Sequence, residues 1–195
     1  MAPSRCVAGF WLALLIGIVA SSCDSYSKEQ EQEMKRIRDS VSADPGTINS
    51  RDKQGNTPLH LAVLNKYLPL LDWLKDHGAD PNSKGLYGDT PLHLAIISDP
   101  TSDGRVIRRL LLMGADVNSQ TIDGYTPLHI AAISGKAGFV QFLLDKRANR
   151  DLRNKRNLTP AEEAIQFPAM TYSKEGRRAV DTSAAVNVLR TYSPK

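Results

Sequence analysis

Cysteine is nearly absent from this chain. Its 195 residues contain two, Cys6 and Cys23, so no thiol beyond position 23 is left to act as a nucleophile or to close an intramolecular disulfide. Long apolar runs are also missing. The longest uncharged apolar stretch, Cys6 to Val19, is shorter than the ~20 residues that cross a bilayer comfortably. No glycine-rich phosphate loop is present. Charge of one sign is scarce as well: 25 Lys and Arg stand against 21 Asp and Glu. No recognised nucleic-acid motif accompanies that small excess, which argues against a nucleic-acid partner.

What is there is repetition. Thr57-Pro58-Leu59-His60-Leu61-Ala62 returns as Thr90-Pro91-Leu92-His93-Leu94-Ala95 and as Thr126-Pro127-Leu128-His129-Ile130-Ala131, and a worn copy begins at Thr159-Pro160-Ala161. The spacings are 33, 36 and 33 residues. A second phrase keeps step: Gly78-Ala79-Asp80-Pro81-Asn82, Gly114-Ala115-Asp116-Val117-Asn118, then the eroded Arg147-Ala148-Asn149. Two motifs locked at one period predict stacked units rather than one closed core. On these residues the chain resembles an ankyrin-repeat protein from about position 34 to 192. The resemblance implies an all-α solenoid of helix-turn-helix units, with three full repeats between degenerate caps.

Local chemistry rebuilds the unit. Gly55, Gly88 and Gly124 suit a left-handed turn, and Asn157 takes that place in the last copy. Thr57 and its equivalents cap a helix that opens on proline. A second helix carries Leu70, Leu71 and Leu74, then Val106, Leu110 and Leu111, then Val140, Leu143 and Leu144 at helical spacing. Gly78 and Gly114 stop it, whereas Arg147 in the third unit predicts a looser helix end. The extra residues of unit two fall in Ser98–Gly104, a turn-rich loop between helices that leaves the stack intact or serves as a specificity loop.

The expected organisation is a signal peptide at 1–22, a lipidated N-terminus and short linker at 23–28, and an N-terminal capping half-repeat at 29–51. Full repeats follow at 52–84, 85–120 (with the three-residue insertion) and 121–153, and a degenerate C-terminal capping repeat closes the chain at 154–195. Met34, Ile37 and Val41 mark the first cap helix. In the last cap, Glu162 and Glu163 stand where apolar residues or His are expected, in keeping with a polar outward face. A loop around Pro168–Gly176 then leads to a final helix carrying Val180, Ala184, Ala185, Val188 and Leu189.

Arg5, the short apolar span and Ala20-Ser21-Ser22 have the layout of an export signal. Val19-Ala20-Ser21-Ser22-Cys23 resembles the lipobox of bacterial lipoproteins, although Ala20 stands where that family prefers Leu. The resemblance implies lipid attachment at Cys23 and a mature chain held to a membrane. An ordinary secretion signal with an incidental Cys is the alternative. Asp24 resembles the enteric signal for retention in the inner membrane. Asp24–Lys28 spans at most about 17 Å, which would keep the array close to the bilayer. The expected location is therefore the bacterial envelope, facing the periplasm, or outside the cell if no lipid is attached.

Charge is placed unevenly. Residues 146–195 hold 11 basic against 5 acidic residues, and residues 24–145 hold 13 against 16. Lys146, Arg147, Arg150, Arg153, Lys155 and Arg156 form a cluster that meets anionic lipid or an acidic partner, or is simply a solvated cap surface.

Catalysis is not expected. His60, His93 and His129 occupy one repeat position, which the resemblance assigns to inter-repeat hydrogen bonding. Metal ligands converge within about 2 Å of one ion, whereas equivalent positions in packed helices lie about 8–10 Å apart. His77, the fourth histidine, precedes Gly78 at a helix C-terminus, where a partly charged imidazole is favourable. No metal, cofactor or small-molecule substrate is expected.

The remaining expectation is protein binding through the turn tips and the concave inner-helix face. By the family pattern these present Lys53, Gln54, Asn56, Leu64 and Asn65 in the first unit. The second offers Leu86, Tyr87, Asp89, Ile97 and Ser98, and the third Ile122, Asp123, Tyr125, Ile133 and Ser134. The cap adds Lys155, Arg156, Leu158, Gln166 and Phe167. Apolar Leu64, Ile97 and Ile133 beside Tyr87 and Tyr125 mark an interaction patch. A structural or self-assembling envelope component and a secreted effector without a lipid anchor are the other readings.

Overall fold

The computed structural model describes residues 27–99, 103–173 and 176–193, without the side chains of 171–178. The signal segment 1–22, Cys23, Asp24 and positions 100–102 of the unit-two insertion lie outside the described residues. Among the described residues the chain forms nine α-helices and one hairpin, in the order α1 (Lys28–Ala43), a short 3-10 turn (Pro45–Asn49), α2 (Pro58–Leu64), α3 (Leu68–Asp76), α4 (Pro91–Ser98), α5 (Arg105–Leu112), α6 (Pro127–Ile133), α7 (Ala137–Asp145), α8 (Pro160–Gln166), β1 (Met170–Ser173), β2 (Gly176–Ala179) and α9 (Ser183–Thr191). Inner helices α2, α4, α6 and α8 stack in one layer, with outer helices α1, α3, α5, α7 and α9 behind them.

Each inner helix begins by the same local chemistry. Thr57, Thr90, Thr126 and Thr159 are extended N-caps followed by proline. His60 Nδ1 accepts the Thr57 backbone N–H at 3.2 Å and faces its hydroxyl at 2.8 Å. Because Nδ1 accepts from a backbone donor, the proton sits on Nε2. That Nε2 donates to the next unit: His60 to the Asp89 carbonyl at 3.3 Å, His93 to Tyr125 at 3.0 Å and His129 to Leu158 at 3.1 Å. In the last copy Glu162 replaces the histidine, accepting the Thr159 N–H at 2.8 Å. Gly55, Gly88, Gly124 and Asn157 all adopt positive φ in the preceding turn, as their equivalent places require.

The outer helices are sealed by a second ladder. Asn49 Oδ1 accepts the Asp80 N–H at 2.8 Å, Asn82 Oδ1 that of Asp116 at 2.7 Å, and Asn118 Oδ1 that of Asn149 at 2.7 Å. Buried Ala62, Ala95, Ala131 and Ala164 let successive inner helices approach closely, while Leu70, Leu71, Leu74, Val140 and Leu143 fill the space behind them. Each such burial contributes roughly 1.5–3 kcal/mol for the larger side chains.

Several expectations are corrected. In α5 the buried residues are Ile107 and Leu110, with Val106 and Leu111 only partly covered. An apolar run of Val-Ile and Leu-Leu-Leu leaves the helical phase open, and stacking on α3 and α7 selects it. In α9, Val186 is buried and Ala184 is exposed for the same reason. The α7 terminus is not looser: Arg147 takes φ 66°, beside 83° for Gly78 and 90° for Gly114. The closing bond from Ala148 N to Leu143 O, at 2.9 Å, matches that from Ala79 to Leu74. The connection after α8 is an antiparallel hairpin pairing Met170 with Ala179 through Ser173 with Gly176, not a loop. It is rooted by Ala169 N donating to Ile133 O at 2.9 Å and Val180 N donating to Ala169 O at 2.8 Å.

The unit-two insertion removes the usual closure of α4. Lys136 of the next unit supplies it, donating from Nζ to the carbonyls of Ile96 and Asp99, each at 2.5 Å. Burial pushes this ammonium down to about 8. Arg109 and Asp72 form an ion pair that joins α5 to α3. At the far end Ile165 is 52% exposed, although its equivalents Val63, Ile96 and Ala132 are fully covered by the following unit.

Candidate functional site: the turn-tip row and inner-helix face

The tips are four tight turns built alike. In the first, Asp52 Oδ1 accepts the N–H groups of Gln54 and Asn56, at 2.9 and 2.8 Å. Asn154 Oδ1 does the same for Arg156 and Leu158, at 3.0 and 3.1 Å. Thr121 supplies its hydroxyl to Tyr125 N at 3.1 Å. In unit two that place is Gly85, and the Asp89 carboxylate fills the vacated space, so close that a Cβ on Gly85 would sit 2.9 Å from both oxygens. Neighbouring tips join through the backbone, Ile122 N to Tyr87 O and Lys155 N to Asp123 O, both at 2.9 Å. Gly88 permits that approach, since a Cβ there would meet Ile122 N at 2.8 Å.

Four residues four positions before the capping threonines form one row along these tips: Lys53, Leu86, Ile122 and Lys155. All are exposed, Leu86 by 61% and Ile122 by 57%. Tyr87, 47% exposed, stands beside Leu86. Gln54 and Asp123 are exposed and Asn56 is half-buried. On the inner helices Leu64, Asn65, Ile97, Ser98, Ile133 and Ser134 are half-buried, and Asn65 Nδ2 is engaged by the Leu61 carbonyl at 2.9 Å. Cys23 lies outside the described residues.

Two expected tip residues are withdrawn from the surface. Asp89 is buried, at 6% exposure, and its Oδ1 has no hydrogen-bond partner among the described residues. Tyr125 is half-buried, with its hydroxyl donating to Glu163 at 2.6 Å. Glu163 itself is the residue misjudged from sequence. Instead of facing outward it is 1% exposed, and it also accepts from Asn154 Nδ2 at 2.7 Å and from Arg156 at 3.0 Å. Arg156 is exposed and lies over the Phe167 ring, 4.6 Å from its centroid. The cap end of the groove is thus fixed from below by one buried carboxylate.

The histidines are committed to structure. Burial lowers the basicity of all three ladder imidazoles, and that of His93 falls to about 4. Among the described residues no group of three His, Cys, Asp or Glu is placed to hold a metal ion. No described helix is long and apolar enough to cross a membrane.

The family model "Ankyrin repeats (many copies)" matches residues 41–95 and 110–164, and the model "Ankyrin repeat" matches 87–122. The chain belongs to the ankyrin-repeat family. Protein binding is the class of function that this membership supports. The Schizosaccharomyces pombe protein "Palmitoyltransferase akr1" is 35% identical over 51 residues, a stretch covering 26% of this chain and 8% of that protein. The likeness therefore concerns a small part of a much longer relative.

Proposed function

We propose that this chain is a non-catalytic binding scaffold that holds another protein along its turn tips and concave inner-helix face, tethered to a bacterial envelope membrane through lipid on Cys23. The observation that carries the binding surface is the exposure of Leu86, Tyr87 and Ile122 on adjoining tips. Large apolar side chains left this exposed along adjoining turns are the kind of group that anchors interfaces. Binding is by a preformed surface, with no turnover. The triple variant Leu86→Ser, Tyr87→Ser, Ile122→Ser should abolish capture of the native partner from detergent-solubilised envelope with the melting temperature little changed. Unaltered capture would overturn the surface assignment.

The tether rests on the residues before the array: the charged start, short apolar span and lipobox-like Val19–Cys23. Its orientation is periplasmic, with the inner membrane favoured by Asp24. Cys23→Ser should move the protein from the membrane to the soluble fraction, and mass spectrometry of the mature N-terminus should find acyl mass on Cys23. Membrane retention of that variant would remove the lipid anchor from the proposal.

The half-exposed Ile165 on the terminal stacking face favours a second reading, end-on self-association of arrays. Concentration-dependent size measurement distinguishes it, since a scaffold that only holds a foreign partner stays monomeric.

A further inference from the structure

The tip row is patterned as well as exposed. Its order is Lys53, Leu86, Ile122, Lys155: two apolar side chains bracketed by two lysines. Neither Lys53 nor Lys155 forms an ion pair among the described residues, whereas Arg105, Arg109, Arg153 and Arg156 are all paired with carboxylates. Apolar centre and charged rim is the usual layout of a binding surface.

Spacing narrows what can lie on it. Each tip belongs to one repeat, and packed helices in successive repeats lie about 8–10 Å apart. A polyproline-II strand returns to the same face every third residue and rises 3.1 Å per residue, so positions three apart are separated by about 9 Å on one side. A β-strand alternates faces every residue, which puts positions three apart on opposite sides. Only the three-fold strand keeps one side chain over each of four consecutive tips without a long partner helix.

We propose that the tip row binds an extended polyproline-II segment of the partner carrying an acid, two apolar residues and a second acid at intervals of three. This rests on the tip-and-groove reading above and gives its occupant a chemistry. The outer carboxylates meet Lys53 and Lys155, and the inner side chains meet Leu86 and Ile122. Tyr87 offers the aromatic edge that proline-rich strands commonly dock against.

The test is fluorescence anisotropy of the full-length protein with a labelled peptide Glu-Ser-Pro-Leu-Ser-Pro-Leu-Ser-Pro-Glu. Controls are the same peptide with lysine for both glutamates and a helical peptide bearing the two leucines seven apart. The acidic peptide should bind at least tenfold tighter than the lysine one at low salt. The double variant Lys53→Glu, Lys155→Glu should reverse that order, and Leu86→Ser, Ile122→Ser should abolish binding of both. Equal binding of the acidic and lysine peptides, tighter binding of the helical one, or no binding of the acidic peptide overturns the inference. If Leu86→Ser, Ile122→Ser abolishes binding but the lysine reversal changes nothing, the groove stands and only its assigned chemistry falls. If peptides bind and neither pair of substitutions matters, both fail.

Discussion

The Tyr125 hydroxyl and the Glu163 carboxylate meet at 2.6 Å across the boundary between the third repeat and the cap. This bond makes the cap part of the array. Glu163→Ala leaves the half-buried Tyr125, the buried Asn154 and the half-exposed Arg156 without their shared acceptor. Removing one member of a buried charged network costs about 3–5 kcal/mol, and the exposure of Arg156 places this one at the lower end. Glu163→Gln keeps an acceptor and should cost roughly half as much. Urea unfolding checks both, and a loss below about 1 kcal/mol for the alanine variant would show the network to be incidental.

Acid should weaken the fold through the histidine ladder. Free histidine titrates near 6.5, and burial lowers His93 to about 4, with His60 and His129 shifted the same way. Between these values the unfolded chain binds more protons than the folded one, so stability falls as pH drops below about 6.5. For His93 alone the loss approaches about 3 kcal/mol by pH 4, at 1.36 kcal/mol per unit. Thermal unfolding from pH 7 to pH 4 should show a steep decline, and His93→Gln should be less stable at pH 7 yet flatter across that window. An unchanged slope would refute the assignment.

Arg147 occupies a glycine's place and backbone geometry, with φ 66°. A non-glycine residue there is strained by about 1–2 kcal/mol. Glycine also gains freedom in the unfolded chain, so Arg147→Gly should stabilise by a net ~0.5–1 kcal/mol. Scanning calorimetry should see the melting temperature rise by about 1–4 °C.

Asp89 offers the opposite case. A buried polar atom left unpaired costs about 1–3 kcal/mol, and Oδ1 of Asp89 has no partner among the described residues. Asp89→Ala should therefore leave the melting temperature unchanged or raise it, and should not affect partner capture. A strong destabilisation would mean that the carboxylate holds the Gly85 turn together.

These cases show where the sequence was legible. Thr57, Pro58 and His60 could be placed on a capped helix because their chemistry is settled within four residues, and the repetition of the phrase fixed the architecture. The exposure of Leu86 and Ile122 followed from their place in the turn. Glu163 was opaque because its burial depends on Tyr125, 38 residues away, and on Asn154 and Arg156 converging beneath it. Asp89 lies inward because unit two has glycine at position 85, where the other units have Asp52, Thr121 and Asn154, a difference visible in the sequence whose consequence is settled only by the turn's three-dimensional closure. The Met170–Ala179 hairpin had no such cue, since two four-residue strands of mixed composition carry neither helical nor alternating patterning strongly.

The backbone bonds between tips have a mechanical consequence. Ile122 and Lys155 are latched to the tip before each of them, whereas the Leu86 amide receives no such tie from the first tip among the described residues. The last three fingertips are therefore tied by backbone bonds, while the Lys53 finger rests on its neighbour through the close packing of Gly55 against Leu86. The boundary between the first and second tips is thus where the row can shift without breaking a backbone bond between tips.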